Sequence, residues 1–106
     1  MKILITESRL YNAFKGWMDS EIREGILHWR YEKNGDIYLM ESNRYRLYIK
    51  SKNPKRFFYS YISKSFYNEL YNYFPLERTD LLELIGRYVG ETLEIEIAGS
   101  YTRFID

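Results

Sequence analysis

An α+β fold is the class that the sequence predicts, with an antiparallel meander packed against about three helices. Residues 27–50 alternate apolar and polar side chains around two turn signals, and three other stretches repeat apolar residues at spacings of three or four. These periods are typical of strands and of amphipathic helices, respectively. With 106 residues, 29% of them charged, the chain is predicted to be a single domain, 1–106, with one core.

The first predicted elements are a short apolar strand at 2–5 and a helix over 7–24. One face of this helix carries apolar residues at helical spacing, namely Leu10, Phe14, Trp17, Met18 and Ile22. Gly25 is a suitable residue to end it, because glycine adopts the left-handed conformation common after a helix. We expect Trp17 to be buried between this helix and the sheet.

Two tight turns define the meander at 27–50. Asn34-Gly35 fits a two-residue type I′ turn, because both residue types tolerate positive φ. A second tight turn is predicted at Ser42-Asn43. Together the turns predict three antiparallel strands that follow one another in the sheet.

The register that follows from these turns places Trp29 opposite Met40 and Tyr38 opposite Leu47. Directly opposed residues point to the same face. One face then becomes wholly apolar or aromatic and contains Leu27, Trp29, Tyr31, Tyr38, Met40, Tyr45, Leu47 and Ile49. We expect this face to be buried against the first helix.

The remaining chain predicts two more helices and further strands. Residues 57–62 are a candidate fourth strand, and helices are predicted at 64–74 and 80–89. Gly90 is expected to end the last helix. The alternating pattern that follows predicts that 92–105 extends the sheet with a half-exposed strand and a final strand that pairs back.

Charge is distributed unevenly along the chain, although its formal net charge is only +1. Residues 42–64 contain seven basic and no acidic side chains, whereas residues 65–106 contain three basic and eight acidic ones. The basic segment also contains six aromatic residues. Proteins that bind single-stranded nucleic acid combine cations for phosphates with rings that stack on bases. The alternative interpretation is a solvated surface balanced by the acidic end of the chain.

A partner-binding surface is predicted on the polar face of the meander. Its assigned residues are Arg30, Arg44, Arg46, Tyr48 and Lys50, with Lys52, Lys55 and Arg56 from the following loop. Like charges on neighbouring strands slightly destabilise a sheet, so folding alone gives no reason to place these cations together. An anionic partner, either a phosphate backbone or an acidic protein patch, would offset the repulsion.

The sequence argues against several classes of function. It has no cysteine, which excludes disulfides, thiol nucleophiles and thiolate metal sites. The single histidine, His28, has no second histidine or cysteine to position it for proton transfer, and Glu94 with Glu96 fits solvated edge charges better than a Mg²⁺ site. No stretch approaches the roughly 18 apolar residues of a membrane span. We expect no enzyme, no cofactor, no metal and no membrane contact.

The opening residues MKILITES resemble the start of many small uncharacterised proteins of tailed bacteriophages. In those proteins a short strand is likewise followed by a helix that begins near a Thr-Glu pair. The likeness covers about ten residues. It implies a viral origin and a cytoplasmic location in a bacterial host, and it transfers no active site.

Three classes of function remain. A core of this size encloses many but not all of the twelve Tyr, six Phe and two Trp, and Tyr and Trp are enriched at protein interfaces. The favoured prediction is a small non-catalytic protein that binds another protein, for instance as a modulator or inhibitor of a host protein or defence system. The alternatives are a nucleic-acid or nucleotide binder that uses the basic aromatic face, and a virion or oligomer-forming structural protein.

Overall fold

The computed structural model describes residues 7–52, 57–98 and 102–105. Along these residues the elements follow in the order α1 (Glu7–Arg23), β1 (His28–Tyr31), β2 (Ile37–Glu41), β3 (Arg44–Lys52), β4 (Phe57–Ile62), α2 (Lys64–Tyr73), α3 (Arg78–Leu93), β5 (Glu96–Ile97) and β6 (Arg103–Phe104). The fold is therefore α+β, as predicted. The strand expected at 2–5 lies outside the described residues.

The strands form one sheet in the order β1-β2-β3-β4-β5, and β6 also pairs with β4. The first four strands form an antiparallel meander, which confirms the predicted core of the sheet and its fourth strand. β5 and β6 both run parallel to β4, beside its first and second halves. The expectation of a final strand that pairs back on its predecessor is therefore wrong.

Of the two glycines predicted to end helices, only one does so. Gly25 has a φ of +78° and its N–H donates to the Ile22 carbonyl over 3.0 Å, so it ends α1 as predicted. Gly90 does not end α3, which continues to Leu93 before Glu94 adopts a φ of 54°. A Cβ at Gly90 would lie 3.3 Å from the Ile95 carbonyl oxygen, so this glycine allows the returning chain to pass close to the helix.

The core lies between one face of the sheet and the three helices. Its sheet side includes Leu39, Leu47, Ile49 and Ile62, and its helix side includes Phe14, Met18, Phe66, Leu70, Leu81, Ile85, Tyr88 and Val89. Trp17 is half-buried, and its ring lies 5.3 Å from Tyr73 and 6.4–6.5 Å from Phe74 and Phe66. Trp17 therefore packs against the α2 region, and its expected burial between helix and sheet is wrong.

The hairpin between β1 and β2 differs from the predicted one by one residue. Tyr31 pairs with Ile37, and the Glu32 N–H donates to the Asp36 carbonyl over 2.8 Å. The loop thus has three residues and ends at Gly35, whose φ is +97°; this is a common alternative to the two-residue turn. Trp29 therefore opposes Leu39 and not Met40.

A bulge between β2 and β3 adds a second offset. The predicted turn at Ser42-Asn43 is correct, because Glu41 pairs with Arg44 and Met40 with Tyr45. The register then shifts, so that Leu39 pairs with Leu47 and Tyr38 with Tyr48. The extra residue is Arg46, and it is buried together with Leu47. A bulge places two residues opposite one, which turns the Arg46 side chain toward the helices.

The first offset exchanges the faces of β2, and the second restores the predicted faces of β3 beyond the bulge. A shift of one residue moves every side chain of a strand to the other face of the sheet. Ile37 and Leu39, predicted to be on the polar face, are in the core cluster. Tyr38 and Met40, predicted to be on the core face, lie on the opposite face, where their register partners are Tyr48 and Tyr45; Met40 is nevertheless buried, at 4% exposure.

Candidate interaction surface on the sheet

Five tyrosines occupy the sheet face that points away from the helices. They come from β2, β3 and β4, and we call them the tyrosine face: Tyr38, Tyr45, Tyr48, Tyr59 and Tyr61. None of them belongs to the core cluster or to the half-buried residues packed against it. Tyr45 is 49% exposed and the other four are half-buried.

The rings of the tyrosine face stack on one another across the strands. Tyr38 lies 4.8 Å from both Tyr45 and Tyr48, at interplanar angles of 29° and 7°. Tyr61 continues the stack at 5.8 Å from Tyr48, and Tyr59 meets Tyr61 edge to face at 6.5 Å. Because the spacing of neighbouring strands is itself about 4.8 Å, residues in register bring their rings into contact. Tyr38 and Tyr48, stacked on both sides, present their edges to a partner and not their faces.

The hydroxyl groups of this face have different surroundings. Tyr48 donates to the buried carboxylate of Asp36 over 2.9 Å. Burial raises the pKa of Tyr48 above its ordinary value, and the hydrogen bond to Asp36 raises it further. Tyr59 instead accepts a hydrogen bond from Lys52 Nζ over 2.6 Å, and this bond lowers the pKa of the Tyr59 phenol.

Asp36 fixes the loop that borders this surface. Its carboxylate accepts from the Ser51 N–H over 2.8 Å and from Tyr48, while its own N–H donates to Asn34 Oδ1 over 3.0 Å. The charge is thus held in place by neutral donors from β3 and from Asn34 in the loop. A carboxylate bonded in this way locks the hairpin beside the stack.

Four of the predicted binding residues lie on the tyrosine face. Tyr48 is part of the stack, and Lys50 and Lys52 oppose Tyr59 and Phe57 on β4. Arg30 opposes Tyr38, and its Cζ lies 5.2 Å from the Tyr38 ring centre. Arg30 also forms an ion pair with Glu32 over 2.7 Å.

Arg44 and Arg46 do not lie on this face, so their predicted placement is wrong. The Arg46 side chain is only 2% exposed and forms ion pairs with Glu69 and, at 3.7 Å, with Glu41. Its Cζ lies 4.7 Å from the Phe66 ring centre. Arg44 binds the same Glu41 carboxylate over 2.7 Å at the hairpin end. The bulge explains both positions, since it directs Arg46 toward α2. Lys55 and Arg56 lie outside the described residues.

The structure adds residues that the sequence interpretation did not assign. Arg103 on β6 opposes Tyr61 and is exposed, so it borders the tyrosine face at the edge opposite Arg30. Tyr59 and Tyr61 alternate with buried Ser60 and Ile62. This period of two was a sequence signal for a tyrosine-bearing face. No such signal marked Tyr38, because its assignment depended on the register.

Among the described residues, His28 on β1 and Glu96 on β5 lie on strands at opposite ends of the strand order. Within 7–52, 57–98 and 102–105, no group of three His, Asp or Glu side chains is placed to hold a metal ion. His28 is exposed at the start of β1. Glu94 and Glu96 are exposed near β5. None of the described helices is long and apolar enough to cross a membrane.

Comparisons of the chain with protein-family models, with curated proteins and with solved structures gave no match. The geometry of the tyrosine face is therefore the basis for a functional proposal.

Proposed function

We propose that the protein binds another protein through the tyrosine face and has no catalytic role. The observation that carries this proposal is a stack of tyrosines on the side of the sheet away from the core. Tyrosine is enriched among the residues that dominate protein interfaces. It offers a large contact area for the loss of only two side-chain torsions. Rings already held by their neighbours lose still less freedom on binding.

Ring geometry favours a protein partner over a nucleic acid. Base stacking needs an accessible aromatic face, and the faces of Tyr38 and Tyr48 are covered by neighbouring rings. The predicted basic surface is also smaller than expected. Arg44 and Arg46 lie off this face, and each forms an ion pair with a glutamate. Nucleic-acid or nucleotide binding is therefore the second candidate, supported by Lys50 and Lys52 on the same face.

Self-association through this face is disfavoured by its charge. Two copies that met face to face would bring the cations of one copy close to those of the other, and such juxtaposition of like charges suppresses binding. A role as an oligomer-forming or virion protein would therefore use another surface. The resemblance to phage proteins supports the further proposal of a partner in a bacterial cell, with modulation or inhibition of a host protein or defence system as the consequence.

Affinity capture from a nuclease-treated bacterial lysate tests the proposal, with two matched variants. Tyr45 and Tyr71 are 49% and 47% exposed, and each stacks on one tyrosine, Tyr38 and Tyr67. Tyr71 lies on α2 and not on the sheet. We expect Tyr45→Ser to lose the proteins that the unaltered chain captures and Tyr71→Ser to retain them. Capture that depends on nucleic acid, or an equal loss in both variants, would contradict the proposal.

A further inference from the structure

A row of five side chains crosses the sheet with one residue on each strand. In order, these are Arg30 on β1, Tyr38 on β2, Tyr48 on β3, Tyr61 on β4 and Arg103 on β6. The row thus has an arginine at each end and tyrosines between them. Four spacings of about 4.8 Å place the backbones of the two arginines about 19 Å apart.

The charges along this row are mostly positive. Lys50 and Lys52 flank its β3–β4 part, and among the described residues neither they nor Arg103 form an ion pair with a carboxylate. The acidic groups beside the row are engaged or peripheral. Glu32 is paired with Arg30, Asp36 is buried and bonded to Tyr48, and Glu96 lies beside Phe57 at the far end of β4.

We propose that the protein partner presents an acidic segment that crosses the strands along this row, with carboxylates about 19 Å apart that bind Arg30 and Arg103. This inference rests on the proposed function and specifies the chemistry and direction of its partner. Complementary charge supports it, because charged groups at an interface fix the register of the two partners and speed their association.

The two arginines suit this role for different reasons. Arg30 is held over the Tyr38 ring and by Glu32, so its position is set before a partner arrives. Arg103 is exposed, and together with Lys52 it lowers the pKa of Tyr59, which places its charge beside the tyrosine face. Guanidinium groups bind carboxylates in a planar, two-point geometry that lysine cannot match.

Two helical peptides of equal composition serve as rulers for the spacing. A helix rises 1.5 Å and turns 100° per residue, so glutamates 14 residues apart span about 21 Å and glutamates seven residues apart span about 10 Å, with both pairs on one face of the helix. Titration of each peptide is followed by amide chemical shifts of the full chain. We expect the long ruler to bind about threefold to fivefold tighter, since one exposed ion pair contributes up to about 1 kcal/mol. The largest chemical-shift changes should occur at the amides of the five residues in the row.

The matched variants are Arg103→Gln and Arg23→Gln, with Arg23 exposed at the end of α1. Arg103→Gln should remove the preference for the long ruler, and Arg23→Gln should preserve it. Equal affinity for both rulers, or a preference that survives Arg103→Gln, would overturn the inference. So would tighter binding of a single-stranded oligonucleotide of matched charge at the same amides.

The outcome is separable from that of the proposed function. If Tyr45→Ser loses the captured proteins while the rulers show no preference, the tyrosine face remains the binding surface and the acidic crossing segment is wrong. If Tyr45→Ser retains them, the proposed function fails whatever the rulers show.

Discussion

Tyr11 and Tyr88 lie on the helical side of the molecule, and the tyrosine face lies on the other side of the same sheet. Tyr11 on α1 donates to Glu91 on α3, and Tyr88 on α3 donates to Asp19 on α1, each over 2.7 Å. Both rings are buried, at 3% and 0% exposure. These two reciprocal bonds hold α1 against α3, whereas the tyrosines of the sheet stack on one another.

The difference shows that one residue type has two separate uses here. A buried phenol needs a partner for its hydroxyl, because an unpaired polar group in the core is costly. A ring on the outer face can instead leave its hydroxyl to water or to a neighbouring polar side chain, as Tyr59 does with Lys52. Loss of a helical-side tyrosine should therefore weaken the fold, and loss of a sheet-side tyrosine should weaken binding.

The largest expected contrast is between Tyr88→Ala and Tyr45→Ala. Truncation of a buried aromatic residue costs about 4 kcal/mol, whereas loss of one exposed stack costs about 1 kcal/mol. Urea denaturation gives both values, with an unchanged m-value as the control for two-state unfolding. A Tyr45→Ala loss as large as that of Tyr88→Ala would show that the tyrosine face is part of the folding core.

A second contrast compares the inward and outward arginines. Arg46→Ala should cost about 3 kcal/mol, because it removes a buried guanidinium with its packing and leaves Glu69 without its partner. Arg30→Ala should cost about 0.5 kcal/mol, as is usual for an exposed substitution. Thermal or urea unfolding of both variants checks this. Equal, small losses of stability would indicate that Arg46 lies at the surface and that the bulge is absent.

Alkaline pH should weaken the fold, in part through the helical side. Burial raises the pKa of Tyr11 and of Tyr88, and their hydrogen bonds to carboxylates add to the rise. A raised folded-state pKa contributes stability that is complete below the unfolded value, about 10, and is lost as the pH rises above it. The denaturation midpoint should thus fall from pH 9 to pH 11. Tyr88→Phe should make this fall shallower, and an unchanged slope would argue against the buried bond.

The smallest effect concerns two phenols of the tyrosine face. The pKa of Tyr59 is lowered by Lys52 and that of Tyr48 is raised by burial and by Asp36. Tyr59 should therefore ionise at lower pH than Tyr48 when followed by NMR of labelled tyrosine rings. Lys52→Gln should move the Tyr59 titration upward and leave Tyr48 unchanged. Ionisation in the reverse order would contradict the described contacts.

Local patterns predicted most of the fold, and the outer face of the sheet was missed for two specific reasons. The α+β class, the Ser42-Asn43 turn, the fourth strand and the end of α1 all depend on neighbours in sequence. The three-residue loop depends on Asp36, whose partners Tyr48 and Ser51 are 12 and 15 residues away. The Arg46 bulge likewise depends on α2. Each is an offset of one residue that the alternating pattern does not reveal.

The two one-residue shifts in strand register cancel in β3 beyond the bulge. Between them, the side chains of β2 lie on the faces opposite to those predicted. Leu47 and Ile49 were placed in the core correctly, because the second shift compensates for the first. Tyr38 and Leu39 exchanged faces, because β2 lies between the two shifts. The sequence therefore predicted three cations of the candidate surface, Arg30, Lys50 and Lys52. Most of its tyrosines were assigned to the core or left unassigned.

Site-specific photo-crosslinking tests most directly whether a partner contacts the tyrosine face. A benzophenone-bearing residue is placed at position 45 in one variant and at position 71 in another, two sites of nearly equal exposure. The full chain is then irradiated in bacterial cells that express it. A covalent adduct with a protein from position 45, and none from position 71, is the expected result. Adducts from position 71 at equal or greater yield, or adducts from position 45 with nucleic acid alone, would contradict a protein-binding tyrosine face.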